Sequence, residues 1–255
     1  MWKDLAARAE AVITRKAELD FAAVVDDDPS AAFRRFGAAA ATRLPMLAHR
    51  VPYNKVRGFR AEDSPLIKEV LEFYSGPGLR PAVEVWAGDA TTELHRTLLD
   101  AGLAPMAPTL TLHARPRPET QALRAEVREV DPEDGVYLEI LCGGYEVPAG
   151  EAAFRKMLAI EHATAGLRCY VAVIDGHPAA AGALFVHEGI SYFAGAATLP
   201  TFRRRGAQAA LINRRLADAA DDSDLVVVTA AFASASHDNL VRHGFEITHT
   251  RTVWR

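Results

Sequence analysis

The sequence predicts a layered α+β fold, with a mixed central sheet flanked by helices and built as two related halves. Three observations predict it. Segments with strand alternation and segments with helical periodicity follow one another along the chain. A strand–helix–glycine–strand unit occurs twice. Residues 82–86 read as strand, 91–101 as helix, Gly102-Leu103 as a turn and 110–113 as strand. Residues 225–228, 236–243, Gly244-Phe245 and 250–254 repeat that order, with Gly244 standing 142 residues after Gly102. Two ordinary strand–helix–strand pieces would give the same pattern by coincidence. The third observation is size: 255 residues, 49% of them hydrophobic, are ample for two such halves and their cores.

The first part begins with Trp2, Leu5, Ala9, Val12 and Ile13 at helical spacing, an amphipathic helix that must dock on something. Lys3, Asp4, Arg8 and Glu10 interrupt any apolar run, so this is not a signal peptide. Residues 53–59 read as strand. Residues 64–75 read as helix, with Ser64 as N-cap, Pro65 at the first position and Leu66, Val70 and Phe73 on its apolar face. The turn between them, Arg60-Ala61-Glu62-Asp63, carries two acids and no glycine, so it is no anion site. That makes the first part structural, or one wall of a substrate cleft. Residues 114–120, with Pro116 and Pro118, read as a solvated linker.

In the second part, 132–142 and 150–163 read as helices. Ala153, Met157, Ile160 and Glu161 fall on neighbouring positions of the latter, giving it a mostly apolar inward face. Strands are expected at 168–174 and 178–187, joined by the hairpin signal Asp175-Gly176. After the turn Glu188-Gly189 comes a long central strand, 190–199. A helix follows with Ala209, Ile212, Leu216, Ala219 and Ala220 on one face, ended by Asp221, Asp222 and Asp224.

The junction between that strand and that helix, Pro200-Thr201-Phe202-Arg203-Arg204-Arg205-Gly206-Ala207-Gln208-Ala209, is the most informative stretch. A strand, a basic turn and a helix in that order put free N–H groups and a positive helix end at one point, which suits a phosphate. Gly206 lets the backbone approach a ligand closely. The same residues also fit a basic helix cap on the surface.

Composition narrows the classes. A net charge of −4 gives no reason to expect nucleic acid as a partner. No stretch approaches the length needed to cross a membrane. Cys142 and Cys169 sit in apolar surroundings and read as buried thiols in a reducing cytoplasm. No His, Cys and Asp cluster has metal spacing, so no metal is expected, and there is no Gly-x-Ser-x-Gly elbow.

The element order and the Arg203–Gln208 motif together resemble the GNAT superfamily of acyl-CoA-dependent N-acetyltransferases. Its signature turn is Arg/Gln-x-x-Gly-x-Gly/Ala. Arg203, Arg204, Arg205 and Gly206 fit its first four positions; Gln208 departs at the last. The resemblance covers residues 127–255 well. It covers the first part only loosely, as a possible degenerate copy, giving residues 1–117 and 118–255 as the two domains. It implies acetyl-CoA as co-substrate, with the pyrophosphate on Arg203, Arg204, Arg205, Gly206, Ala207, Gln208 and Ala209. The pantetheine arm would pair with the backbone of Ala196, Ala197 and Thr198. Ser236 and Asn239, near the start of the last helix, would line the coenzyme, although helix capping is the favoured reading of them. The family's tyrosine four residues before the Gly-Phe pair is absent here: that position is Leu240.

The implied reaction is direct attack of an amine, on a small molecule or a peptide, after a base has removed its proton. Glu146, in the loop between the first two helices of the second part, is the leading candidate base. Tyr192, on the central strand, is the second residue assigned to the catalytic site. His187 and Glu188 read as a hairpin tip, and His237, His243 and His249 as surface or capping histidines. Two other readings stay open: a regulatory module that holds acyl-CoA without transferring anything, and an interaction protein whose basic turn meets an acidic partner. A homodimer is possible on any of them.

Overall fold

A single mixed sheet runs through the chain in a computed structural model that describes residues 2–118 and 125–255. The first part contributes α1 (Trp2–Asp27), β1 (Ala32–Phe36), β2 (Ala39–Arg43), β3 (Lys55–Arg57), α2 (Ile67–Phe73), β4 (Val83–Trp86), α3 (Thr92–Asp100) and β5 (Thr109–Ala114). The second contributes β6 (Glu126–Val130), α4 (Gly135–Gly144), α5 (Ala152–His162), β7 (Leu167–Ile174), β8 (His177–His187), β9 (Ile190–Tyr192) and β10 (Ala196–Thr198). It closes with α6 (Ala207–Asp218), β11 (Leu225–Ala231), α7 (Ala235–Arg242) and β12 (Glu246–Trp254). The strand order is β1-β2-β3-β4-β12-β5-β11-β9-β8-β7-β6, with β10 paired to β8.

The repeated unit is present in both halves and matches in detail. Thr91 caps α3 by accepting the Leu94 N–H, and Ser234 caps α7 by accepting the His237 N–H. Gly102 and Gly244 both take φ +79°, which only glycine adopts freely. Each lets the next N–H reach back to the helix, Leu103 to the Leu98 carbonyl and Phe245 to the Leu240 carbonyl. The last strands of the two units then cross over. β5 pairs with β11 (Val226 opposite Ala114), and β12 runs between β5 and β4 (Trp254 opposite Val83). Pairing therefore crosses the 117/118 boundary, and both halves share one sheet.

The core lies on both faces. On β11, Val226 and Val228 pack under Leu211 and Leu216 of α6, while Val227 faces Val12 and Ile13 of α1 and Leu141 of α4. A third cluster, with Phe59, Val70, Leu94, Leu98 and Trp254, fills the first half. Each such Leu or Val contributes roughly 1.5–3 kcal/mol by leaving water. α1 is longer than its apolar residues alone suggested. Its buried stripe continues from Ala9, Val12 and Ile13 through Lys16 and Asp20 to Phe21 and Val24.

Four expectations are corrected. The 53–59 strand shrinks to β3, because Pro52 lies in a 3-10 turn at Val51–Tyr53 and Gly58, at φ +71°, ends the strand. The 64–75 helix starts later: Pro65 lies inside a 3-10 stretch, Ala61–Leu66, whose first turn Asp63 closes by accepting the Arg60 N–H. Lacking its own N–H, Pro65 keeps the α-helical ladder from forming before Ile67. The strand expected over 190–199 breaks into β9 and β10, with Gly195 at φ +68° in the gap. The fourth correction is that β1, β2 and β6 are strands the sequence reading did not include. Of the 114–120 linker, Ala114 belongs to β5 and Arg117 donates to the Leu216 and His243 carbonyls; residues 119 and 120 lie outside the described residues.

Candidate active site

The break in the central strand opens the site. β9 runs parallel to β11 as far as Tyr192 opposite Val227, and the Phe193 N–H still reaches the Val227 carbonyl. Beyond Gly195, β10 follows β8 while β11 follows β5, so the two strands separate and leave a wedge. The Gly195 carbonyl accepts from Ala183, and Leu199 donates to Ala179. In an antiparallel pair this leaves the backbone groups of the alternate residues, Ala196 and Thr198, facing the wedge. α4 ends hard against β10: a Cβ on Gly144 would meet the Ala197 Cβ at 2.6 Å and the Thr198 nitrogen at 2.9 Å. That close approach places Tyr145 at the wedge, where its hydroxyl accepts the Ala196 N–H at 3.2 Å. Desolvation of its hydroxyl pushes the Tyr145 phenol up to about 12, although the residue as a whole is 40% exposed.

The basic turn caps the open end of β10. Arg204 takes φ +62° and Gly206 φ +91°, and the Gly206 carbonyl accepts the first helical bond of α6, from Ala210. The N–H groups of Ala207, Gln208 and Ala209 are thus the unspent donors of a helix start. Around Gly206 the space a side chain would take is open. Gln208 Nε2 donates to Thr198 Oγ1 at 2.9 Å, tying the helix to the strand it follows. Among the arginines, Arg203 bonds the Gly144 carbonyl and Glu146, Arg205 pairs with Asp175, and Arg204 is exposed.

At the inner end of the wedge lies a cavity of about 300 Å³, walled by α1, α5, the first half and the Phe193–Gly195 break. Its polar lining comes from four places. α1 supplies Lys16 and Asp20, the first half Tyr53 and Arg57, α5 Glu161 and His162, and the wedge Tyr145 and Tyr192. Lys16 pairs with Asp20 and also donates to the Glu161 carbonyl at 2.8 Å. Thr164 donates to Asp20 at 2.6 Å. Tyr53 donates to Glu161 Oε2 at 3.1 Å, leaving Oε1 for a ligand. Burial, and then the neighbouring Asp20 charge, push the Glu161 carboxyl up to about 8. Burial holds His162 down to about 3, so it stays neutral; its Nδ1 meets the Tyr137 hydroxyl at 2.8 Å. Below the break, Arg215 of α6 is fully buried and has no carboxylate partner among the described residues. Its guanidinium bonds the Leu211 and Ala183 carbonyls and lies 4.1 Å from the Phe193 ring centre.

A strand followed by an open-donor turn and a helix is the arrangement the resemblance implies. Residues 122–227 match the family described as acetyltransferase (GNAT) domain. That stretch is similar to a GNAT acetyltransferase domain. Solved structures similar to it include a GCN5-related N-acetyltransferase from Kribbella flavida, at 16% identity over 89% of each chain with a TM-score of 0.63. A second, from Sphaerobacter thermophilus, is 14% identical over 85% of this chain and 76% of its own, with a TM-score of 0.59. A tandem GNAT protein from the clavulanic acid biosynthesis pathway is 11% identical over 92% of this chain and 86% of its own, with a TM-score of 0.55. At these identities the likeness is one of fold, and it extends across both halves. No curated protein matches the chain.

Within this GNAT-like fold the structure brings some of the expected residues together and not others. The Arg203–Ala209 turn is tied to β10 by the Gln208–Thr198 hydrogen bond, and Tyr192 lines the cavity. Glu146 does not reach it: it is exposed, at φ +55°, and its carboxylate is engaged by Arg203. Ser236 is exposed, and the Asn239 carbonyl oxygen of the side chain accepts from Arg242. Leu240, where the family has tyrosine, is core. His249, read as a surface group, is buried against Glu10 at 2.6 Å. Cys142 and Cys169 are free and buried. Sequence reasoning missed Lys16, Asp20, Tyr53, Glu161 and His162 as site residues. The available signal was charge on an apolar stripe, Lys16 and Asp20 on α1 and Glu161 on α5.

Proposed function

We propose that this chain transfers an acetyl group from acetyl-CoA to an amine of a small molecule. The observation that carries the reading is the joining of three features at one point: the wedge at Ala196–Thr198, the open turn at Gly206, and the Glu161 carboxyl inside the cavity where the wedge ends. The unspent N–H groups of Ala207–Ala209 and the open space at Gly206 fit a pyrophosphate, with Arg203, Arg204 and Arg205 adding charge. The outward backbone groups of Ala196 and Thr198 fit an amide chain laid alongside as an extra strand. The coenzyme supplies the activated acyl carbon.

The chain's own residues do the rest. Glu161, rather than Glu146, takes the amine proton on Oε1, and its raised pKa makes it a better base near neutrality than an ordinary carboxylate. The Ala196 N–H stands ready to polarise a carbonyl oxygen, in exchange for the Tyr145 hydroxyl it now holds. Tyr145, neutral with its pKa near 12, carries a proton for the departing thiolate that Leu240 cannot give. The first half, through Tyr53 and Arg57, forms a wall of the acceptor cavity, the role we assign to residues 1–117. Free cysteines fit a cytoplasmic setting. Among the described residues no helix is long and apolar enough to cross a membrane. A homodimer is compatible with this reading.

A second reading, a regulatory acyl-CoA binder, draws on the core leucine at position 240. Calorimetric titration with acetyl-CoA, followed by thiol release in the presence of an amine panel, decides between them. Binding with thiol release supports the transferase. Binding without release under any amine supports the regulator, and no binding overturns both.

A further inference from the structure

The charges around the cavity specify more than an amine. Four charged or titratable groups line it besides the tyrosines and His162: Lys16, Asp20, Glu161 and Arg57. Lys16 and Asp20 neutralise one another. Glu161 is the proton acceptor, and its hydrogen bond from Tyr53 leaves one oxygen open. Arg57 is left over. Among the described residues its one carboxylate contact is Glu84, at 3.5 Å, and Glu84 is already paired with Lys55 and lies 3.3 Å from Arg251. Glu84 thus faces three cations, of which Arg251 also has Glu10 at 3.1 Å, and Arg57 has the loosest hold on Glu84. The Arg57 Nε is buried and has no hydrogen-bond partner among the described residues. Its charge is felt across the cavity by both Glu161 and Asp20.

A guanidinium whose side chain is only 17% exposed, with an unspent donor, calls for an anion, and its planar fork matches a carboxylate. A base for an amine and a cation for a carboxylate therefore face one small space. This inference rests on the transferase reading and narrows its acceptor. We infer that the acceptor is a small amino acid-like molecule whose amine meets Glu161 and whose carboxylate meets Arg57. Polyamines and aminoglycosides are disfavoured, since they would set further positive charge against Arg57 and Lys16, and the multi-ring aminoglycosides also exceed about 300 Å³ of space. A peptide N-terminus is disfavoured because its first carboxyl is an amide and cannot neutralise the guanidinium.

The test is calorimetry on the full chain at neutral pH with the twenty common α-amino acids, each compared with its carboxamide and its decarboxylated amine. At least one amino acid should bind about tenfold or more tighter than its amide, as expected for a charge-assisted pair. Arg57→Gln should erase that preference, and Arg57→Lys should restore part of it. Melting curves of both variants confirm that they are folded, and unchanged acetyl-CoA affinity confirms that the coenzyme site is intact. Equal binding of acid and amide, a preference that survives in Arg57→Gln, or no binding of any amino acid overturns the inference. Thiol release from acetyl-CoA is scored separately. Acetylation of the decarboxylated amines alone removes the inference and leaves the transferase standing. Arg57-dependent binding without release removes the transferase and leaves the carboxylate site.

Discussion

The two halves build the same junction of strand, turn and helix and finish it in opposite ways. In the first, β3 runs parallel to β4, and the turn after it is filled from within: the Asp63 carboxylate accepts the Arg60 N–H, and Arg60 is itself held by Asp89. In the second, β9 runs parallel to β11, and the turn after it contains no acid. Its nearest carboxylates, on Glu146 and Asp175, bind arginine side chains and leave the helix-start N–H groups open. One junction has supplied its own anion; the other awaits one. A shared scaffold therefore carries a ligand site in one copy only, decided by a few turn residues.

Three experiments bear on that difference. The largest effect is expected at Glu161, where the chemistry of the open half is placed. Glu161→Gln should lower kcat by about 10²–10⁴-fold with acetyl-CoA affinity unchanged. In the wild type, kcat should climb as pH rises and level off above about 8, because only the ionised carboxylate accepts a proton and burial has moved its ionisation up to there. Lys16, Asp20, Tyr53 and Arg57 are the groups that face it and set that value. A flat wild-type profile, or a normal rate in the variant, would break the assignment.

Next in size is Gly206→Val, which forces a branched side chain into φ +91° and into the open space over the turn. Acetyl-CoA should bind roughly thirtyfold more weakly, about 2 kcal/mol, in a variant that still melts cooperatively. Unchanged affinity would show that the open turn holds nothing. The smallest effect belongs to the closed junction. Asp63→Ala should cost about 1 kcal/mol of stability, as loss of a cap does, with acetyl-CoA affinity and stoichiometry unchanged. A second equivalent of coenzyme bound by Asp63→Ala would mean that the first half is an occupied site and not an abandoned one.

Much of this was legible in the chain. The repeat could be read because a capped helix followed by Gly and an apolar residue leaves a local mark, and Gly102 and Gly244 perform the same turn. The basic turn could be read because its donors come from consecutive residues. The cavity could not, since its lining converges from α1, the first half and α5, and no local pattern records that Lys16 and Glu161 will meet. Glu161 sat in view on the inward face of its helix but passed as an interruption of an apolar stripe, while Glu146 attracted notice in a loop. β1 and β6, at the edges of the sheet, hid for another reason. With Arg34 and Arg35 adjacent in one and Glu126, Arg128 and Glu129 in the other, their exposed faces erase the alternation that marks an inner strand.

The crossing of β5 and β12 also sets the order in which the molecule can be made. β12 is the last strand in the chain, yet it fills the middle of the sheet, between β4 and β5. While the polypeptide is being synthesised, β4 must wait with one edge unpaired and β5 with both, until more than a hundred further residues have left the ribosome. Neither half closes before the other is present, so assembly is governed by contacts distant in sequence, the regime in which folding is slow and exposed edges are most open to wrong partners.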